Sequence, residues 1–149
     1  MGANYYLWLK LLHIFVAVVA LGTSAGLGIV LEFYGTDPTH GSFILRAVER
    51  MMALVVIPGY VLMLATGLWM ASLAWPLTTH WIQYALGLWV VGVASLVWSF
   101  VGVRRQRRLH TAEGCTSVRY KRTSIASRIS GATFGAVVVA ILYLMVFKP

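Results

Sequence analysis

The chain has 149 residues, of which 60% are hydrophobic and 11% charged. Soluble domains sit near about 45–50% apolar and about 25% charged, so this composition excludes an ordinary water-soluble fold. It also excludes a disordered chain, a collagen-like repeat and a disulfide scaffold, the last because Cys115 is the single cysteine.

A helix needs about 20 mostly apolar residues to cross the hydrocarbon core of a bilayer. Four stretches qualify: about Tyr6 to Leu31, Ile44 to Leu73, Trp81 to Val103 and Ile125 to Phe147. They occupy most of the chain and leave no room for a separate soluble domain. The runs are apolar on all faces, which excludes the alternating pattern of a membrane barrel. The expected fold is therefore all-α, a single four-span domain forming an up-down-up-down four-helix bundle. The first span is too long for a signal peptide and lacks a basic leading region, so it is expected to be retained.

Charge sets the expected orientation. Twelve Lys and Arg stand against four acids, a net charge of +8. Arg104, Arg105, Arg107, Arg108, Arg119, Lys121, Arg122 and Arg128 lie in or beside the third connection. The positive-inside rule makes that connection cytoplasmic and puts both termini, with Lys10 and Lys148, outside. The first connection, with Arg46 and Arg50 just beyond it, then falls inside. The second, Ser72 to His80, has no Lys or Arg and falls outside. Trp8, Trp69, Trp75, Trp81 and Tyr143 would form an outer aromatic belt. A basic run beside a span is a topology determinant that touches anionic lipid, so no nucleic-acid partner is expected.

Helices in lipid associate through small residues and buried polar contacts. In the first span Ala17, Ala20, Ser24 and Gly28 form one stripe headed by His13, and Gly22 and Gly26 make a separate Gly-xxx-Gly. Gly92, Ser95, Ser99 and Gly102 mark the third span, and Ser127, Gly131 and Gly135 the fourth. Pro58-Gly59 should bend the second span, because proline removes a hydrogen bond and crowds the preceding turn.

An ionisable side chain within the bilayer is a functional hypothesis by default. His13 lies about two turns in from the outer end, roughly 10 Å deep, on the small-residue stripe. Two readings stand: a ligand to haem iron or another metal, or a histidine hydrogen-bonded to a carbonyl or hydroxyl of a neighbouring helix. Residues at similar depth are Met63, Thr66, Gly67 and Met70 in span two, Tyr84, Leu88 and Trp89 in span three, and Ala140 and Tyr143 in span four. No second histidine shares the layer, so an intrachain bis-histidine haem is not expected. Met63, Met70 or His80, the last at the mouth of span three, could complete a haem or cuprous site. Lys10 would snorkel to the interface or meet a haem propionate. His40 and His110 should be solvated in the inner connections. Cys115 should be a free thiol. Glu49 should pair locally with Arg46 and Arg50. No nucleotide loop, nucleophile elbow or zinc motif occurs, and no catalytic residue can be assigned.

Short motifs carry a resemblance across all four spans in order. The opening Tyr6-Leu7-Trp8-Leu9-Lys10-Leu11-Leu12-His13-Ile14 resembles the start of the HemJ-type protoporphyrinogen oxidases. Ala65-Thr66-Gly67-Leu68-Trp69-Met70 and the closing Leu144-Met145-Val146-Phe147-Lys148-Pro149 are similar to the same superfamily. It also holds CopD-type copper-resistance proteins and an uncharacterised bacterial family of small predicted integral membrane proteins. In the HemJ type the histidine matching His13 is implicated in haem b binding. The His-Ala-Lys that opens the third span there is matched here by Gln83 and Ala85. The Asn-Glu-x-Pro signature before the last span is absent, with Arg128-Ile129-Ser130-Gly131 in its place. The sister family of small membrane proteins is the closer match.

The resemblance implies a multi-pass protein of the bacterial cytoplasmic membrane. The expected function is a haem b redox or electron-transfer protein with His13 as axial ligand near the outer face. Its partner would be quinol or another membrane redox component. A methionine, His80 or a second subunit would supply the other ligand, and the chain could assemble as a homo-oligomer or within a larger membrane complex. The alternative is a non-enzymatic membrane subunit or copper-handling protein without haem.

Overall fold

A computed structural model of the chain describes residues 2–76 and 78–147. Leu77, in the second connection, and Lys148 and Pro149, which close the last motif, lie outside the described residues. Helix α1 spans Gly2–Tyr34 and α2 spans Gly41–Met51. A π-helical turn over Met52–Val56 joins α2 to α3, Ile57–Ala74. Helix α4 spans His80–Glu113 and α5 spans Val118–Phe147. Four rods result, α1, α2–α3, α4 and α5, each long and apolar enough to cross a membrane. The all-helical four-span architecture expected from the apolar runs is therefore observed, with no strand among the described residues.

The cause of the π-turn lies in Pro58. Proline has no N–H to offer the carbonyl of Leu54, and its ring crowds the turn before it. The chain widens there, and the N–H of Ile57 reaches the carbonyl of Met52, five residues back. The distortion also serves packing. Val48, Met52, Val56 and Tyr60 recur every four residues and are all buried. An ordinary helix, at 3.6 residues per turn, would let that stripe drift around the axis. The wider turn holds it in line.

Helix α1 runs along α3, α4 lies beside α5, and α2 packs on both α1 and α4. The seams are close. A β-carbon added at Gly59 would stand 2.6 Å from that of Ala20, and one at Gly102 would stand 3.1 Å from Ser127 Oγ. Gly92 lies against the Tyr60 hydroxyl, and Tyr60 stacks on Trp89 with ring centroids 5.6 Å apart. Leu45, Val48, Met52, Val56, Tyr60, Leu96, Val103, Tyr120 and Phe134 make one continuous core.

Not every small-residue stripe is a seam. Gly22, Gly26, Gly28, Gly131 and Gly135 have no neighbouring atom where a β-carbon would stand. The packing face of α1 is set by Leu9, His13 and Ala20, and Gly22 and Gly26 lie off that line. On α5, Ser127, Phe134 and Val137 face inward instead. The many exposed Leu, Val, Ile and Phe side chains of the spans form the lipid-facing surface.

Helices α4 and α5 run on past their apolar segments. Arg104 to Glu113 continue α4, and the chain turns at Gly114, whose φ of 79° suits a residue without a β-carbon. Three ties fasten this end of the molecule. The Tyr120 hydroxyl donates to the Gly35 carbonyl. His110 Nε2 lies 3.0 Å from the Asp37 carbonyl, and its ring meets Tyr120 edge-on at 5.8 Å. Gly41 gives that imidazole room, for a β-carbon there would stand 2.6 Å from Nε2. His110 is thus a structural tie, not a solvated loop residue, whereas His40 is exposed as expected.

The ion pairs cross between helices. Glu49 binds Arg107 Nε at 2.7 Å and Arg104 Nε at 3.0 Å, both from α4. Its expected local partners, Arg46 and Arg50, make no ion pair with it among the described residues, although they line the same cavity. Arg50 adjoins Glu49 in sequence and so faces another side of α2, whereas Arg104 and Arg107, three residues apart on α4, each take one of its carboxylate oxygens. Glu32 pairs with Arg128 of α5 at 3.0 Å.

Candidate functional site

His13 sits on the face of α1 that meets α3. Its Nδ1 lies 2.7 Å from Thr66 Oγ1. Thr66 Oγ1 also lies 2.7 Å from the carbonyl of Leu62, one turn back on α3. A carbonyl can only accept, so a contact that short requires the hydroxyl hydrogen between the two oxygens. The hydroxyl therefore accepts from the imidazole, which carries its proton on Nδ1. In the neutral ring Nε2 then carries the lone pair, and no hydrogen bond to it occurs among the described residues.

Gly67 completes the contact. A β-carbon at that position would stand 3.2 Å from His13 Cε1, so the missing side chain lets the ring edge rest on the α3 backbone. Met63, Thr66, Gly67 and Met70 recur at helical spacing on one face of α3. Met63 also packs against the core, and Met70 is half-buried. The depth count thus places His13 beside Thr66 and Gly67 of span two, and of the two readings of this histidine the hydrogen bond to a hydroxyl of a neighbouring helix is the one present. The structure brings His13, Thr66 and Gly67 together, with the two methionines one turn to either side.

His80 and Lys10 do not join them. His80 is the first residue of α4 and is exposed rather than folded inward, and Lys10 is exposed on α1. No group of three or more His, Cys, Asp or Glu side chains that could hold a metal occurs among the described residues. Of the aromatic residues expected as a belt, Trp69, Trp75, Trp81 and Tyr143 make ring contacts at one end of the rods, two of them with residues outside that set: Tyr5 meets Trp69 at 5.9 Å, Trp75 meets Trp81 edge-on at 6.1 Å, and Tyr143 meets Phe147 at 4.6 Å.

A second unusual group lies deeper. The Tyr60 hydroxyl and Trp89 Nε1 are buried side by side with no protein acceptor among the described residues. Spacing alone suggested Trp89 as a layer residue but said nothing of Tyr60. The Pro58-Gly59 pair just before it was the available signal. A cavity of about 370 Å³ opens at the charged end, lined by Arg46, Glu49, Arg50, Ala53, Phe100 and Arg107. None of these was singled out as a site residue, because each charge alone reads as an interfacial anchor.

Four apolar rods, an aromatic girdle at one end and a basic cluster at the other define a multi-pass integral membrane protein in contact with the bilayer. Residues 7–149 match the family of predicted integral membrane proteins DUF2269, and the chain belongs to that family. Comparison with curated proteins and with solved structures gives no match.

Proposed function

We propose that the protein is a small redox subunit of the bacterial cytoplasmic membrane that binds haem b through His13 Nε2. The observation that carries this reading is the Thr66 hydrogen bond. Metal-binding histidines donate the ring N–H they do not use to a fixed acceptor, which sets the tautomer and raises the basicity of the other nitrogen. Thr66, itself fastened to the Leu62 carbonyl, supplies such an acceptor inside the span. His13 is half-buried at the α1–α3 seam, and a group bound at Nε2 would have to enter beside Gly67, where the missing side chain leaves room. Met63 and Met70, one turn to either side of Thr66 and Gly67 on α3, would be the thioether donors available beside the imidazole.

When bound, haem iron would carry one electron between its ferrous and ferric states. The chain's own residues hold the ligand ring, through Thr66 and Gly67, and exclude water by packing α1 on α3. With the basic end facing the cytoplasm, His13 lies toward the outer leaflet, where a quinol or another membrane redox partner could reach it.

The test is the absorption spectrum of protein purified from haem-replete cells. A Soret band is expected, lost in His13→Ala and with haem affinity reduced about 10–100-fold in Thr66→Val, which keeps the shape but removes the acceptor. A preparation without a Soret band, or a band indifferent to His13→Ala, would overturn the reading. The same His and Met donors favour a second assignment, since one imidazole with thioethers also suits cuprous ion. Stoichiometric copper without haem, lost in His13→Ala, would establish a copper-handling subunit instead.

A further inference from the structure

We infer that the cavity between α2 and α4 is a binding site for the phosphate of an anionic phospholipid. Its walls come from two stripes at helical spacing: Arg46, Glu49, Arg50 and Ala53 on the second rod, Phe100 and Arg107 on α4. The arrangement is graded along the membrane normal. Ala53 and Phe100 lie deeper in their rods, and the guanidinium groups lie toward the charged end. A phospholipid has the same grading, with acyl chains below and the phosphate above.

The charge balance favours an anion. Glu49 is the single carboxylate in the cavity, and Arg104 and Arg107 already hold its two oxygens. Arg104 is further steadied over the Phe100 ring at 5.7 Å. Arg46 and Arg50, one turn apart on α2, have no carboxylate within ion-pair distance among the described residues. Both are exposed at the rim. Two forked donors on the wall of one opening match the chemistry of phosphate oxygens. The volume, about 370 Å³, is on the scale of a headgroup. Basic pockets between membrane helices bind lipid headgroups by this chemistry. The inference is independent of any cofactor at His13.

The experiment is native mass spectrometry of the full chain in neutral detergent, titrated with dioleoyl phosphatidylglycerol or dioleoyl phosphatidylcholine. The wild type is expected to retain phosphatidylglycerol in preference to phosphatidylcholine. Arg46→Gln with Arg50→Gln should weaken phosphatidylglycerol binding roughly 30-fold, about fivefold for each arginine. Arg105→Gln with Arg108→Gln removes the same charge from α4 outside the cavity and should leave binding within about twofold. Equal losses in the two double variants would show diffuse attraction to a basic surface and overturn the site. Equal retention of the two lipids would overturn it as well. Inorganic phosphate that displaces the lipid at millimolar concentration would reassign the cavity to free phosphate, against the lipid assignment.

Discussion

Single side chains at the centre of this molecule are held more by shape than by charge. Tyr60 is the clearest case. Its ring stacks on Trp89, tilts against Phe134 at 5.4 Å, and presses its hydroxyl onto Gly92. That hydroxyl has no protein acceptor among the described residues, and a buried unpaired donor costs about 1–3 kcal/mol. Tyr60→Phe keeps both ring contacts and removes the cost. Thermal unfolding in detergent should show an unchanged or higher midpoint. A fall equivalent to more than about 1 kcal/mol would mean that the hydroxyl is hydrogen-bonded in the membrane. Gly92→Ala makes the complementary change. Its β-carbon would overlap the hydroxyl and stand 3.4 Å from Val137 Cγ1. The ring is clamped between two aromatic neighbours and cannot swing aside. Overpacking of this kind costs about 1–3 kcal/mol. Adding Tyr60→Phe should recover much of that loss, because the two positions share one contact.

At the scale of elements, the end of α1 and the start of α2 depend on Asp37. Its Oδ1 accepts from the His40 N–H at 2.6 Å and the Thr39 N–H at 2.7 Å. Those two hydrogen bonds, His40 first, hold its carboxyl below the ordinary value of 3.8. A depressed folded-state pKa contributes stability that is present above the unfolded value and lost as pH falls through the folded one. The amide proton signals of Thr39 and His40 should therefore titrate together with a midpoint below 3.8. In Asp37→Asn the same oxygen still accepts, and the titration should vanish. A midpoint at or above the ordinary value would remove Asp37 from the role of turn anchor. Elements were legible to unequal degrees. The four rods could be read directly, since about 20 apolar residues leave a chain no other use. Pro58 signalled a distortion in the second rod, but the choice of a π-turn follows from holding Val48, Met52, Val56 and Tyr60 on one face. The outer turns of α4 and α5 were hidden because basic residues read as a connection, although Arg and Lys are good helix formers. Partners across helices were mostly illegible. Thr66 could be placed in the layer of His13 by counting depth, whereas the Glu49 pairs and the Tyr120 tie depend on how the rods are rotated.

The whole molecule is polarised end to end, and that polarity is a statement about orientation. Glu49, Arg104, Arg107, Arg128 and the Gly114–Ser117 turn lie at one end, and Trp69, Trp75 and Trp81 at the other. Net charge is +8, and most of it falls at the first end. Positively charged connections stay cytoplasmic because translocating them against the membrane potential costs about 2.3 kcal/mol per charge per 100 mV. The cavity lined by Arg46, Arg50 and Arg107 would then face the inner leaflet, where anionic lipid is concentrated and a basic site has most to bind. Two cysteine probes in a Cys115→Ser background test this. Thr116→Cys lies in the turn between α4 and α5, and Thr78→Cys lies in the connection before α4; both positions are exposed. In intact spheroplasts a membrane-impermeant maleimide should label Thr78→Cys and spare Thr116→Cys, and inverted vesicles should show the reverse. The opposite labelling would turn the molecule over, move His13 to the inner leaflet and leave an outer quinol without access to it.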